Sequence, residues 1–178
     1  MNVLDYVSIS AELATKFPQI KHINLFNGQY QTETPKNEHP VNYPAVYIEF
    51  LPTQWQMATG GMVEGDAQVR IHIVLHSMKD VGDIHTKSSV MQNAILEHYT
   101  LANNIAAGLE GFFPCTALTA LRKTEDDPDN NHDQIIVERY TYAYTILDTT
   151  NADFKTQIDK VIQGFLVTGT LENILKRA

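Results

Sequence analysis

The sequence predicts an α+β fold: a mostly antiparallel sheet of about four main strands, with a long hairpin and helices packed on one face. Three observations lead to this prediction. Residues 135–147 are rich in β-branched and aromatic side chains and contain no Gly or Pro, which is typical of a long strand. Residues 45–51 and 67–76 alternate apolar side chains as the two strands of a hairpin do. A helical apolar pattern within residues 84–112 separates this hairpin from the later strands.

The long strand 135–147 has two faces that are both partly apolar. A strand with one wet side should alternate more sharply. Either a bulge exchanges the faces, or the second face is also covered, by the chain itself or by a partner. We expect the face that carries three tyrosines to pack on the main helix, and a neighbouring subunit to close the other face. The pattern alone leaves the reverse assignment open. One face carries Tyr140, Tyr142 and Tyr144, and the other carries Val137, Arg139 and Thr141.

An amphipathic helix is predicted at residues 2–17, and Pro18 ends it. After it, Asn27-Gly28 lies between two short extended runs and predicts a hairpin with a type I′ turn, because that turn needs positive φ at both central residues. The apolar side of the helix recurs at spacings of three and four, and comprises Val3, Tyr6, Val7, Ser10, Leu13, Ala14 and Phe17.

The connection between strands 45–51 and 67–76 is predicted to be the continuation and tip of the long hairpin, with its glycines at or near the turn. It contains the single tryptophan and two of the five methionines. One interpretation is that the hairpin folds back over the core of its own domain. The other is an apolar arm that docks on another subunit, because Trp and Met are enriched at interfaces. The residues assigned to this subunit or partner contact are Trp55, Met57, Met62 and Val63.

The main helix is predicted to be capped by Ser88 or Ser89 and to end at Gly111. Residues 115–123 are predicted to return as a strand, in which Cys115 fills a small buried apolar position. The apolar stripe of the helix comprises Met91, Ile95, Tyr99, Ala102, Ile105, Ala106 and Leu109.

Residues 1–150 are expected to form one α+β domain, and residues 151–178 a C-terminal helical tail packed on that domain or on a neighbour. Phe165 and Leu166 in this tail are assigned to the same subunit or partner contact as the hairpin tip. The apolar positions at helical spacing in the tail are Phe154, Ile158, Val161, Ile162 and Phe165.

The composition limits the classes of function. A net charge of −8 argues against broad contact with a nucleic-acid backbone. The single cysteine cannot form an internal disulfide, which favours a reducing, intracellular setting. The start of the chain does not resemble a secretory signal, and no apolar stretch approaches the ~20 residues that span a bilayer. The sequence therefore predicts a soluble, acidic, cytoplasmic protein without membrane contact or sequence-specific nucleic-acid contact.

No residue is assigned to catalysis, to a metal or to a cofactor. His72 and His76 share a strand face, but four residues along a strand separate their Cα atoms by about 13 Å, too far for one ion. The acidic stretch 125–133 comes near EF-hand spacing, yet His132 stands where glycine is required and a strand follows. A solvated loop between strands is the favoured interpretation of this stretch. The sequence contains neither a phosphate-binding loop nor a Gly-x-Ser-x-Gly nucleophile elbow.

The layout of these elements resembles that of small prophage tail-assembly proteins, and more narrowly the tail-terminator or tail-completion proteins of long-tailed phages. The resemblance rests on the hairpin strands at 43–50 and 69–74, the helix after them, and the strand pair joined through Thr124-Glu125-Asp126. It covers about residues 1–150 and contains no diagnostic motif, so no functional residue is carried over.

The resemblance implies a non-enzymatic α+β subunit of a homo-oligomeric ring that caps the tail tube, stops its polymerisation and presents a surface for joining to the head. Tail-tube and head-completion proteins would be its partners, and no cofactor is implied. The expected location is the bacterial cytoplasm during assembly, and the virion if the phage is intact.

Two other functions are compatible with the sequence. A small bacterial α+β hydrolase or ligand-binding protein would need a pocket that gathers His72, Glu49 or Arg139. A Ca²⁺-dependent domain would use the acidic stretch 125–133.

Overall fold

The computed structural model describes residues 3–28, 42–58, 62–76, 88–129 and 135–148, which form an α+β fold of two helices and six strands. The sheet therefore has more strands than the four or so that the sequence predicted, because short strands flank the long ones. In chain order the elements are α1 (Val3–Lys16), β1 (His22–Leu25), β2 (Ala45–Phe50), β3 (Gln54–Met57), β4 (Val63–His76), α2 (Ser89–Leu109), β5 (Arg122–Asp126) and β6 (Ile135–Asp148).

The sheet has the strand order β1-β2-β4-β6-β5, and β3 pairs with β4 beyond the end of β2. The β1–β2 pair is parallel, and the other pairs are antiparallel. Because β2 and β3 both pair with β4, the predicted long hairpin is confirmed. A short break at residues 51–53 divides its first strand in two, although Leu51 N–H still donates to Gln68 C=O at 3.0 Å.

Both helices cover the same face of the sheet, which we call the helix-side face. The main core lies between them and the sheet because every second side chain of β2, β4 and β6 points into it. Its buried members include Ile9, Leu13, Val46, Ile48, Val69, Ile71, Ile73, Leu75, Ala102, Ile105, Ala106, Leu109, Tyr140, Tyr142 and Tyr144.

The tyrosines of β6 lie on the helix-side face, as predicted. The Tyr142 hydroxyl donates to Ala106 C=O on α2 at 2.8 Å, and the Tyr140 hydroxyl lies 3.4 Å from Asn103 Oδ1. The Tyr144 hydroxyl reaches Asp5 on α1 at 3.3 Å. Burial raises the pKa of Tyr140 to about 12, so these hydroxyls stay protonated donors near neutral pH.

The buried side of α1 differs from the predicted stripe. Val3 and Val7 are more than half exposed, whereas Asp5, Ile9 and Leu13 are fully buried at spacings of four. The reason is that Asp5 forms hydrogen bonds with Thr116 and Tyr144, which are distant in sequence. The spacing of apolar residues within the helix does not predict such contacts. The Asp5 carboxylate accepts hydrogen bonds from the Thr116 N–H at 2.9 Å and hydroxyl at 2.8 Å. This rotates α1 toward the loop before β5.

Two further sequence predictions need correction near β5. The chain from Phe112 to Leu121 is a closed loop rather than a strand, because Gly111 N–H donates to Leu121 C=O and Leu121 N–H donates to Phe112 C=O. Cys115 lies in this loop and is exposed, so it does not fill a buried apolar position. The predicted end of α2 is confirmed: Gly111 has φ +78°. Ser88 is the N-cap residue, without a capping side-chain hydrogen bond.

The predicted type I′ turn at Asn27-Gly28 is also wrong. Gly28 has φ +74°, but Asn27 is not among the described residues with positive φ, which this turn type requires. β1 pairs instead with β2, in parallel. The second half of the predicted small hairpin lies outside the described residues.

Candidate functional site

The end of the long hairpin lies beyond the end of β2, where β4 pairs with β3 on one side and with β6 on the other. We define the hairpin arm as residues 54–58 and 62–66, that is β3, the first residues of β4 and the residues that border the tip. Trp55 is paired with Gly65 and Met57 with Val63, and Ala58 N–H donates to Met62 C=O at 3.0 Å. The arm therefore keeps antiparallel hairpin pairing up to its tip.

Trp55 packs across the arm onto Gly65. A Cβ on Gly65 would lie 2.8 Å from two carbons of the Trp55 ring and 2.7 Å from the Thr53 methyl group. Such contacts are too close for any side chain, so glycine is what allows the indole to approach the neighbouring strand. Gly65 is buried by this contact, while Trp55 itself remains 51% exposed.

The four contact residues predicted in the hairpin lie together on the arm. Trp55 and Met57 alternate with Gln54 and Gln56, and their partners on β4 share a face with buried Ala67, so they lie on the helix-side face. Met57 is 91% exposed, and Met62 and Val63 are half-buried. The tail residues predicted to join this contact, Phe165 and Leu166, lie outside the described residues.

A groove of about 750 Å³ lies at the base of the arm, between the start of α1 and the end of β6. Val3, Phe50, Trp55 and Ile146 contribute apolar surface to it. Asp5 also lines the groove, but its carboxylate is held by Thr116 and Tyr144. The groove could not be predicted from the sequence, because the helical pattern places Val3 on the buried side of α1, whereas Val3 is exposed.

The second face of the sheet carries a row of polar side chains across four strands. We call it the cross-strand ladder: Glu49 on β2, Arg70 on β4, Thr141 on β6 and Glu125 on β5, each paired with the next. Arg70 Nε donates to Thr141 Oγ1 at 3.2 Å, and Arg70 Nη2 lies 3.3 Å from Glu125 Oε2. Opposite charges on neighbouring strands stabilise this register.

His72 lies beside the ladder and is only 2% exposed. The ring of Phe26, which follows β1, stacks on it at 4.1 Å between ring centroids. Its Nε2 is 2.9 Å from Glu49 Oε2. Burial lowers the pKa of His72, Arg70 and Arg139 lower it further, and Glu49 opposes this shift.

Arg139 ties the acidic stretch to the sheet. Its guanidinium contacts Asp127 at 2.6 Å and Asp129 at 3.4 Å. Two oxygens that an EF-hand-like site would need are thus bound to a cation already. Within the described part of the chain no group of three or more His, Cys, Asp or Glu side chains is arranged to hold a metal ion.

The chain itself therefore closes much of the second face. Val137 is fully buried in a small cluster with Ala45, Tyr47 and Val74, and Thr141 is 3% exposed within the ladder. For these residues the alternative in which the chain itself covers the face is the one observed, so no neighbouring subunit is needed to close it there. The face looked only partly apolar in the sequence because it is built from charge pairs.

The residues of the alternative pocket are only partly brought together. His72 and Glu49 are hydrogen-bonded, while Arg139 is engaged by Asp127 and Asp129. None of His72, Glu49 and Arg139 lines the groove at the arm, nor the smaller cavity beside Glu110 and Lys123.

Neither described helix is long and apolar enough to cross a membrane. No protein-family model matches this chain, and no curated protein matches it.

Proposed function

We propose that this protein is a structural assembly protein of a phage or prophage tail, which acts as a subunit of a homo-oligomeric ring. The observation that carries the proposal is the hairpin arm. It carries an exposed Met57 and a half-exposed Trp55 on one face of the edge strand β3. Large apolar side chains that cluster on an exposed edge strand are typical of a protein contact site rather than of a solvated surface.

The composition of the arm supports a protein partner. β3 is an edge segment of uncharged residues, Gln-Trp-Gln-Met, whereas exposed edge strands are usually protected by charge. An uncharged edge beside apolar side chains can accept both backbone hydrogen bonds and apolar contacts from a neighbouring subunit.

A closed ring needs two different patches on each subunit, because its contacts are head-to-tail. The arm would supply one patch. A second apolar surface lies on the outer side of α2, where Leu96 is 57% and Tyr99 is 45% exposed. These residues are neighbours on the helix surface, three positions apart. We assign them to the receiving patch in place of the largely closed second face of the sheet.

In the tail, such a ring would cap the tube, stop its polymerisation and present a surface for head joining. Its partners would be further copies of itself, tail-tube proteins and head-completion proteins. It would assemble in the bacterial cytoplasm and become part of the virion of an intact phage. The proposal includes no catalytic residue and no cofactor.

Light scattering on the full chain tests the proposal. Met57→Asp should reduce the oligomeric mass, because it places a charge in the proposed contact. The matched control is Gln56→Asp, which adds the same charge on the opposite face of the same strand. Trp55→Ala should also weaken assembly and leave the fold intact. A parent protein that stays monomeric at high concentration would contradict the proposal, as would equal effects of the two aspartate variants.

The alternative, a small bacterial hydrolase or ligand-binding protein, rests on the groove alone. Its volume of about 750 Å³ lies in the usual range for ligand sites. The positions of His72, Glu49 and Arg139 argue against this alternative, because these residues lie outside the groove and contact one another or neighbouring carboxylates.

A further inference from the structure

We propose that residues 153–166 of the same chain fill the groove at the base of the hairpin arm. The inference goes beyond the proposed function and does not depend on it. Its starting point is an apolar wall, formed by Val3, Phe50 and Ile146, that faces about 750 Å³ of open space. Val3 is 60% exposed there. Apolar side chains that pack on this wall leave water together with the wall itself, which stabilises the packed state.

The position where β6 ends points to the occupant. β6 ends at Asp148, and Leu147 and Asp148 themselves line the groove. The chain that follows therefore begins at the rim of the groove. Residue 153 lies five residues after Asp148, and five residues of extended chain span about 16 Å. The segment 153–166 can reach the groove without any rearrangement of the described fold.

The chemistry of the segment fits the groove. It has apolar residues at helical spacing and polar residues between them. An isolated helix of this length is marginal in water, so it requires an apolar surface to pack on. A tethered segment acts at an effective concentration of about millimolar, which favours it over a second copy of the chain in dilute solution. The apolar positions are Phe154, Ile158, Val161, Ile162 and Phe165.

Under this inference Trp55 belongs both to the groove and to the proposed contact surface of the hairpin arm. It stands between the groove at the base of the arm and Met57 near the tip, and it is 51% exposed. Because it is the single tryptophan, its fluorescence reports directly on whether the groove is filled.

The first test is Trp55 fluorescence of the full chain at concentrations where light scattering shows no assembly. The double variant Ile158→Gln with Ile162→Gln should shift the emission to longer wavelength and increase quenching by acrylamide. The matched control, Thr156→Gln with Lys160→Gln, places two glutamines on the polar side of the same segment and should behave like the parent. Identical spectra and quenching in all three proteins would overturn the inference. A shift confined to concentrations at which the protein oligomerises would overturn it too, because the occupant would then come from a second copy.

A second test does not depend on weakening the segment. In a Cys115→Ser background, Val3→Cys combined with Ile158→Cys should give an intramolecular cross-link with a short bis-maleimide, detected by mass spectrometry at the monomer mass. Val90→Cys combined with Ile158→Cys is the control, since Val90 is 77% exposed at the start of α2 and does not line the groove. Cross-linked dimers, or no intramolecular link for the Val3 pair, would overturn the inference.

Discussion

The two faces of the sheet are covered in different ways, although the same strands build both. On the helix-side face, buried apolar side chains of β2, β4 and β6 meet two helices. On the second face, two arginines each contact two carboxylates, His72 contacts the carboxylate of Glu49, and Phe26 and a small apolar cluster cover part of the row. A face can therefore be closed without being apolar, provided that its charges are paired. The two faces should respond differently to substitution.

The largest effect is expected on the helix-side face. Ile71 is fully buried in the main core, so Ile71→Ala should lower the free energy of unfolding by about 2–5 kcal/mol through lost burial and a cavity. Urea denaturation measures this change. Gln68→Ala, at an exposed position of the same strand, serves as the control and should have little effect. A loss no greater than that of the control would show that β4 does not anchor the core.

A smaller effect is expected on the second face. Arg139→Met should cost about 1–3 kcal/mol, because it leaves the largely buried carboxylate of Asp129 without its cation. Arg122→Met removes the same charge from the exposed edge strand β5 and should be nearly neutral. Urea denaturation of both variants compares them. Equal losses would mean that net charge, rather than the pairing on this face, determines the result.

The second face should also be sensitive to acid through His72. Its folded pKa is lowered, so the unfolded chain binds more protons between that value and the unfolded pKa of about 6.5. The stabilisation that His72 contributes is thus complete above pH 6.5 and is lost as the pH falls toward the folded pKa. Over this range the free energy of unfolding changes by at most about 1.4 kcal/mol per pH unit because of this one group.

His72→Gln should flatten this part of the stability curve, measured by urea denaturation across pH. His76→Gln is the matched control, because His76 is exposed on the same side of β4. The assignment fails if both variants keep the slope of the parent.

The smallest effect on stability is expected at the arm tip. Met57 is 91% exposed, so Met57→Asp should change the free energy of unfolding of the monomer by less than about 0.5 kcal/mol. Thermal unfolding of dilute protein measures this. A large loss would show that the tip is packed as part of the fold, and would remove it from the contact surface.

Much of the fold could be predicted from the sequence where local patterns were strong. The alternation in β4, the length of β6, the tyrosine face and the position of α2 were all predicted, because these elements have long regular patterns. β1 could not be paired correctly, since a parallel partner 23 residues further along the chain leaves no local turn pattern. The bulge between Lys123 and Glu125 likewise masks the alternation of β5.

The candidate site was predictable in composition but not in arrangement. Trp55, Met57, Met62 and Val63 were selected because Trp and Met are enriched at interfaces, and all four lie on the hairpin arm. The groove and the buried His72 were missed because both depend on distant residues. Phe26 covers His72 from the position just after the edge strand β1, and the hydrogen bond from Thr116 to Asp5 orients α1 so that Val3 faces outward.

The buried carboxylate of Asp5 has a consequence for the order in which the chain can fold. Its hydrogen-bond partners, Thr116 and Tyr144, follow it by 111 and 139 residues. During synthesis α1 leaves the ribosome long before either partner exists, and its carboxylate remains in water until β6 has been made. Docking of the first helix is therefore a late event, and contacts of such high sequence separation are typical of slow folding.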